Sequence, residues 1–337
     1  MTLRAALLLV LSWALAACGD DVEPPEGWLD RLADQSEPPP GNNWPVPPEQ
    51  SMDVLAQPIT MLWMEETQAG TTNAWHAKAQ VGPRELELKW KPVRDGSADS
   101  FNNTPRKEIA AFLVQKWFLD PEDWVVPPVR LACLDQEQVR AFDEDAEVQV
   151  EGTDCVLGAV TLWLQNLTVP DELYDEERFY EDPVYAWHMA DFNLFTYVVQ
   201  HRDGAANNVP TSDDESNRRI YAIDNGMSFG GRIHNYFVRN WDSIEVPALR
   251  AESVERLRSV TRADIDELAV VAMMAREGDR LVNVDPRPED SAGVGEEPGQ
   301  VEEPVLTLGL TEEERSAIEE RIARLLERVD AGEVALF

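Results

Sequence analysis

In RELELKWK, residues 84–91, Leu86, Leu88 and Trp90 alternate with Glu87, Lys89 and Lys91. Successive side chains of a strand point to opposite faces, so this period of two predicts a half-buried strand over 80–92. LGAVTLWLQ, residues 157–165, reads as a second strand, and RIYAID, residues 219–224, as a short third one. Elsewhere the apolar period lengthens to three and four. Thr104-Pro105 is an N-cap followed by proline at the first helical position, and Ile109, Phe112, Leu113 and Trp117 then form one stripe up to about Phe118. Asp182-Pro183 opens a second helix through Gln200, with Val184, Trp187, Leu194, Phe195 and Val198 on its core face. Residues 252–276 are helical in composition. Thr311 with Glu314 makes a capping box before a last helix striped by Ile318, Ile322, Leu325 and Val329. Strands with one helix come first and helices follow. That order predicts an α+β, two-lobed fold with a strand-rich N-lobe and a mostly helical C-lobe.

The breaks in this pattern divide the chain. Arg4 and the apolar run 5–15 are too short to cross a bilayer and read as a signal peptide over 1–18. It ends in Leu15-Ala16-Ala17-Cys18, which resembles the bacterial lipobox, whose cysteine is acylated (palmitate is one such chain) and becomes the mature N-terminus. An ordinary cut near Ala17 is the alternative. Residues 19–51, with SEPPPGNNWPVPPEQ, read as a Pro-rich acidic tether. The main domain then covers 52–283, its N-lobe about 52–168 and its C-lobe about 169–283. An acidic linker follows over 284–309, and a C-terminal helix over 310–331 packs either on this chain or on a partner. These boundaries place the protein in a bacterial cell envelope, lipid-anchored on the exported side, in the periplasm or at the outer-membrane surface.

Composition narrows the chemistry. The 337 residues are 43% hydrophobic, enough for a sizeable core, and carry a formal net charge of −35. Such a chain repels nucleic acid, so an anionic ligand needs local cations or a bound metal. Beyond Cys18 only Cys133 and Cys155 remain. In an exported compartment they form a disulfide or stay as two buried thiols, and no CxxC spacing suggests zinc.

Lys91 closes the first strand and precedes Pro92; taken alone it is a strand-edge lysine. Glu108 shares a helix face with Ala111 and Phe112, and a carboxylate facing a core needs a partner such as Lys91. Further on, His201-Arg202-Asp203 followed by four residues and Asn208 matches the catalytic loop of protein kinases, H-R-D-x-x-x-x-N. Asp224-Asn225-Gly226 stands where those enzymes carry D-F-G. The order Lys, Glu, HRD with Asn, then DNG is the one a kinase-like site requires.

KWKPVRDG, RKEIAAFLVQKWF and WVVPPVRL resemble segments of the secretory-pathway kinases related to four-jointed and the Golgi casein kinase. IDNGMSFG resembles the same group and the type II phosphatidylinositol 4-kinases. The resemblance covers roughly residues 85–245 and implies an atypical kinase-like fold. It implies that Lys91 holds nucleotide phosphates and is fixed by Glu108. Asp224 and Asn208 would ligate Mg²⁺ or Mn²⁺, and Asp203 would accept the proton of an acceptor hydroxyl. His201 and Arg202 read as scaffolding, and Gly226 as the residue that lets the chain turn after the metal ligand. Gly70 and Thr71, in QAGTTNAW, would cover the phosphates or make an ordinary turn. Gln165 and Asn166 fall where a hinge meets adenine. Lys89 shares a face with Lys91 and is the rival phosphate lysine; Pro92 after Lys91 favours the latter.

Together these readings predict an exported, membrane-tethered kinase-like phosphotransferase that moves a phosphoryl group from ATP to a protein or glycan hydroxyl. Two alternatives stay open: a catalytically inactive nucleotide- or cation-binding surface lipoprotein, and a nucleotidyl (AMP) transferase on the same fold. Scarce ATP outside a bacterial cytoplasm favours the inactive module, whereas functional residue types at all four polar positions favour an enzyme.

Overall fold

The computed structural model describes residues 23–67, 74–93, 105–201, 206–230, 245–286 and 305–337. Five antiparallel strands form its main sheet: β1 (Ile59–Glu66), β2 (Trp75–Val81), β3 (Arg84–Pro92), β4 (Val129–Asp135) and β5 (Cys155–Leu162), in the order β1-β2-β3-β5-β4. The alternation in β3 sets its two faces. Leu86, Leu88 and Trp90 join Ala77, Ala79, Val81 and Val160 in one core. Two short helices, α2 (Ser51–Leu55) and α4 (Gln136–Arg140), pack on that side; α1 (Trp28–Ala33) lies elsewhere. Gly158 lies under the Trp90 indole, where a Cβ would stand 2.3 Å from the ring, so only glycine admits the tryptophan. On the opposite face, α3 (Pro105–Gln115) packs against β4, and Ile109 and Phe112 share a second, larger core with Leu131, Leu157 and Ala159.

That second core continues into the C-terminal half, built on α5 (Glu176–Glu181), α6 (Pro183–Val199), α7 (Ala251–Arg258), α8 (Arg262–Asp266) and α9 (Glu312–Asp330). Asp182 caps α6 by accepting from the backbone of Val184 and Tyr185, with Pro183 just inside. Small sheets complete this half: β6 (Leu167–Thr168) with β7 (Thr211–Ser212), β8 (Ala248–Leu249) with β12 (Ala335–Leu336), and β9 (Ala272–Glu277) between β10 (Arg280–Val284) and β11 (Val305–Leu308). The expected order, strand-rich first and helical after, is the architecture present.

Several expectations need correction. Residues 23–51 are not a free spacer. Leu32 and Val46 are buried, Trp28 packs edge-on against Tyr180, and the Pro39 carbonyl accepts from Asn217 and Arg219. Aromatic and aliphatic residues scattered among the prolines give this segment enough apolar surface to dock without any period. The helix expected over 252–276 breaks into α7, α8 and then β9, because Gly278 (φ 69°) lets β9 turn back onto β10. The linker expected over 284–309 contributes β11 to the same sheet. RIYAID is extended but is not a regular strand: Ile220 bridges to Thr211, and Arg219, Tyr221 and Ile223 make single backbone bonds to residues 208–212. Cys133 and Cys155 are joined in a disulfide on neighbouring strands, their Cα atoms 5.1 Å apart. The last helix buries Ile318, Ile322 and Leu325 against α6, α7 and α8 of this chain. Among the described residues no helix is long and apolar enough to cross a membrane.

Candidate active site

Lys91 ends β3 on the face opposite Trp90, and its side chain is 2% exposed. A buried ammonium needs compensation. Its Nζ donates to Glu108 Oε1 at 2.8 Å and to Asp224 Oδ1 at 2.7 Å. Burial lowers the affinity of Lys91 for its proton, and the Glu108 and Asp224 carboxylates more than reverse this, so Lys91 stays charged. Glu108 sits in the first turn of α3, where a carboxylate also suits the helix dipole. The spacing that put Glu108 on an apolar face and Lys91 on the facing strand thus brings the two together.

Asp224 arrives from the other half of the molecule. Residues 206–208 form one 3-10 turn, and the Asn208 carbonyl accepts from the Ile223 backbone at 2.9 Å. Ser212 with Arg219 and Tyr221 with Pro210 continue that pairing in the same register. The stretch between Asn208 and Asp224 is therefore an irregular hairpin whose two ends meet below Lys91. Asp224 adopts a left-handed backbone (φ 63°), a conformation Asp tolerates better than most residues. The chain turns at once through the 3-10 turn Asn225–Met227, with Gly226 at its centre, and positive φ recurs at Phe229 and Gly230. Asn225 is buried and donates to the Ala222 carbonyl, and α3 packs directly on the turn Asn225–Met227.

The electrostatics favour an ionised Asp224. Burial would raise its pKa, but Lys89 and Lys91 outweigh burial and hold the carboxyl well below the usual range. Lys89 Nζ stands 3.9 Å from Asp224 Oδ2, so both lysines of β3 face the same carboxylate. Burial pushes the His201 imidazole down to about 4 against the pull of Asp224, leaving it neutral beside the hairpin.

The remaining expected residues divide. The backbone N–H of Gln165 donates to the Asn43 carbonyl, and Asn43 Nδ2 donates to the carbonyls of Gln165 and Asn166, each at 3.0 Å. The Asn166 carbonyl also accepts from Asp213. The Asn166 side chain in turn donates to the Asn42 carbonyl at 3.1 Å, so both residues expected to meet an adenine are bonded to the Pro-rich segment. Asp203 and Arg202 follow His201 outside the described residues. Gly70 and Thr71, between β1 and β2, lie outside them too, as do Thr104 and Cys18. Sequence reasoning missed Asn43, whose side chain is fully buried. The Asn42-Asn43-Trp44 run inside the Pro-rich segment was its only signal.

No protein-family model matches this chain, and no curated protein matches it. Solved structures do. The structure of hydra Fam20 with sugar aligns at 14% identity and a TM-score of 0.46, covering 85% of this chain and 90% of that one. The Golgi casein kinase aligns at 13% identity and TM-score 0.47, over 84% of this chain and 75% of its own. Its form with Mn/ADP bound aligns at 12% identity and TM-score 0.48, over 86% and 79%.

For a divalent cation the described residues offer one ionised carboxylate, Asp224, and the Asn208 side chain carried at the paired end of the hairpin. No group of three or more His, Cys, Asp or Glu residues among them could hold a metal by itself. Sparse oxygen donors fit Mg²⁺ or Mn²⁺, which keep several waters and take further ligands from substrate phosphates.

Proposed function

We propose that this chain is a kinase-like phosphotransferase that moves the terminal phosphoryl group of ATP onto a protein or glycan hydroxyl. We also propose that it acts on the exported side of a bacterial envelope, tethered through Cys18. The observation that carries the reading is the Lys91 ammonium clamped between Glu108 and Asp224 at 2.8 and 2.7 Å, with Lys89 beside it. Phosphoryl transfer asks mainly for positioning and neutralisation of phosphate charge. Lys91, oriented by Glu108, would hold phosphate oxygens, and Gly70 and Thr71 would cover them. Asp224 and Asn208 would hold Mg²⁺ or Mn²⁺, which would neutralise phosphate charge when bound. Asp203, two residues after the buried His201, would orient the acceptor hydroxyl and take its proton. The acceptor oxygen would bond to the terminal phosphorus while the bond to the ADP oxygen breaks.

Both oxygens of Asp224 face ammonium groups in this structure, which is the one observation favouring a non-catalytic cation- or nucleotide-binding module. Thermal unfolding of the full chain with ATP and Mn²⁺ or Mg²⁺ tests the site. Ligand at about 100 times its Kd stabilises by about 2.7 kcal/mol, a shift of several degrees. The expected result is a metal-dependent shift that vanishes in Asp224→Ala. Product mass then separates the readings: a phosphate added to the acceptor supports phosphoryl transfer, an added AMP supports nucleotidyl transfer, and no product leaves a binding module. No shift with any nucleotide or metal overturns the proposal.

A further inference from the structure

The first turn of α3 reads Pro105-Arg106-Lys107-Glu108. Two cations in a helix first turn oppose the helix dipole, which favours acids there. They stay because one carboxylate from the far end of the chain meets both. Glu314 of α9 accepts from Arg106 through two oxygens, Nη1 to Oε2 at 2.5 Å and Nη2 to Oε1 at 3.1 Å. Lys107 Nζ lies 3.3 Å from Glu314 Oε1 and donates to the Gly230 carbonyl at 2.9 Å. Arg106 also donates to the Gly309 carbonyl at 3.3 Å. The Glu314 side chain is 11% exposed. Its position is fixed in turn, because Oε2 accepts from the Thr311 backbone at 2.9 Å and the Thr311 hydroxyl accepts from the Glu314 backbone.

From these contacts we infer that Glu314 is a positioning residue: it holds α3 at the rotation and height that let Glu108 meet Lys91. Each helical residue turns the chain by about 100° and advances it about 1.5 Å. Arg106 and Lys107 gripping one carboxylate therefore leave a single direction for the next side chain, and that side chain is Glu108. The same Lys107 joins the grip to Gly230, six residues beyond Asp224. One carboxylate of the C-terminal helix thus ties together the elements that deliver Glu108 and Asp224 to Lys91. The C-terminal helix becomes part of the active arrangement although, among the described residues, it makes no hydrogen bond or ion pair to Lys91, Glu108 or Asp224. This inference rests on the phosphotransfer reading proposed above.

The test uses the full chain with Glu314→Gln, which keeps the shape and an oxygen for the Thr311 cap, alongside Arg106→Gln and the double variant. The expected result is a kcat lowered by about 10- to 100-fold with little change in the KM for ATP. That is the order of loss expected when a reacting group is displaced by about 1 Å. The double variant should be no worse than either single one, because the pair acts as a unit. Arg106→Lys should recover part of the kcat, since it restores the charge without the two-pronged grip. Hydrogen exchange supplies a readout independent of turnover: amides of α3 should exchange faster in Glu314→Gln while those of α6 do not. A lower Tm with unchanged kcat and unchanged α3 exchange would overturn the inference and leave Glu314 a packing contact. A wild-type chain that binds ATP and transfers phosphate while Glu314→Gln does so equally well would overturn this inference alone. Absence of any nucleotide-dependent shift in the wild-type chain would overturn the phosphotransfer reading and this inference with it.

Discussion

Two buried cations in this molecule each sit between two carboxylates, and they differ in how completely they are enclosed. Arg250 bonds Asp123 at 2.8 Å and also bonds Asp191, and it stacks on Trp187 at 3.6 Å from the ring centroid. Ser253 donates to Asp191, and Trp187 donates to Asp123. The two acids there are 4% and 2% exposed. Lys91 has the same arrangement with Glu108 and Asp224, but the Asp224 side chain is 26% exposed. Proton affinity separates the pairs further. Burial pushes the Asp191 carboxyl up to about 7 despite Arg250, and the neighbouring Asp123 adds to the rise. Asp224, facing two lysines, is held well below the usual range instead. A closed cluster that saturates its own donors fixes packing. A more exposed one that keeps its carboxylate ionised can exchange an ammonium partner for a ligand.

The comparison can be broken most directly at Asp191. Asp191→Ala leaves Arg250 buried with one partner fewer, and loss of a buried ion partner costs about 3–5 kcal/mol. Urea unfolding should show a midpoint lowered accordingly; a loss below about 1 kcal/mol would erase the distinction between the clusters. Asp224→Asn should sharpen it from the other side. Lys91 keeps Glu108, so stability should fall by only about 1 kcal/mol, as for a partly solvated pair, while the metal-dependent response to ATP disappears. A loss as large as that at Asp191 would mark Asp224 as structural.

The smallest effect concerns His188, beside the closed cluster and hydrogen-bonded to Asn217 at 2.8 Å. Burial, then the charge of Arg219, lowers its pKa to about 3. Between the ordinary value of 6.5 and about 3 the unfolded chain binds a proton that the folded chain does not. Stability is therefore fully present above pH 6.5 and declines as pH falls, by at most about 1.4 kcal/mol per pH unit. Melting temperatures of His188→Gln should show a shallower decline over that range; an unchanged slope would assign the pH sensitivity elsewhere.

Parts of this arrangement were legible in the sequence and parts were not, for physical reasons. Leu86, Leu88 and Trp90 announced β3 because a half-buried strand must alternate. Thr311 and Glu314 announced α9 because a capping box satisfies backbone donors locally. Lys91 and Glu108 could be paired because Glu108 placed a carboxylate on an apolar helix face, where it needs a cation. Residues 272–277, Ala-Met-Met-Ala-Arg-Glu, are all good helix formers, yet strand pairing across Gly278 overrides propensity. Asn43 was hidden because docking of a Pro-rich segment uses isolated contacts with no repeat to detect. The Glu314 grip on α3 spans 208 residues from Arg106, and no local pattern encodes a contact of that separation.

Asn43 has a mechanical consequence. Its side chain and carbonyl bond the backbone of Gln165 and Asn166, where the sheet hands over to the helical half, and its oxygen also accepts from Tyr221. A hinge is a few residues that absorb the dihedral change when two halves of a molecule swing. Here the segment around Asn43 is stitched to the junction of the two halves, so a pull on it is delivered to that junction and not to an outer surface.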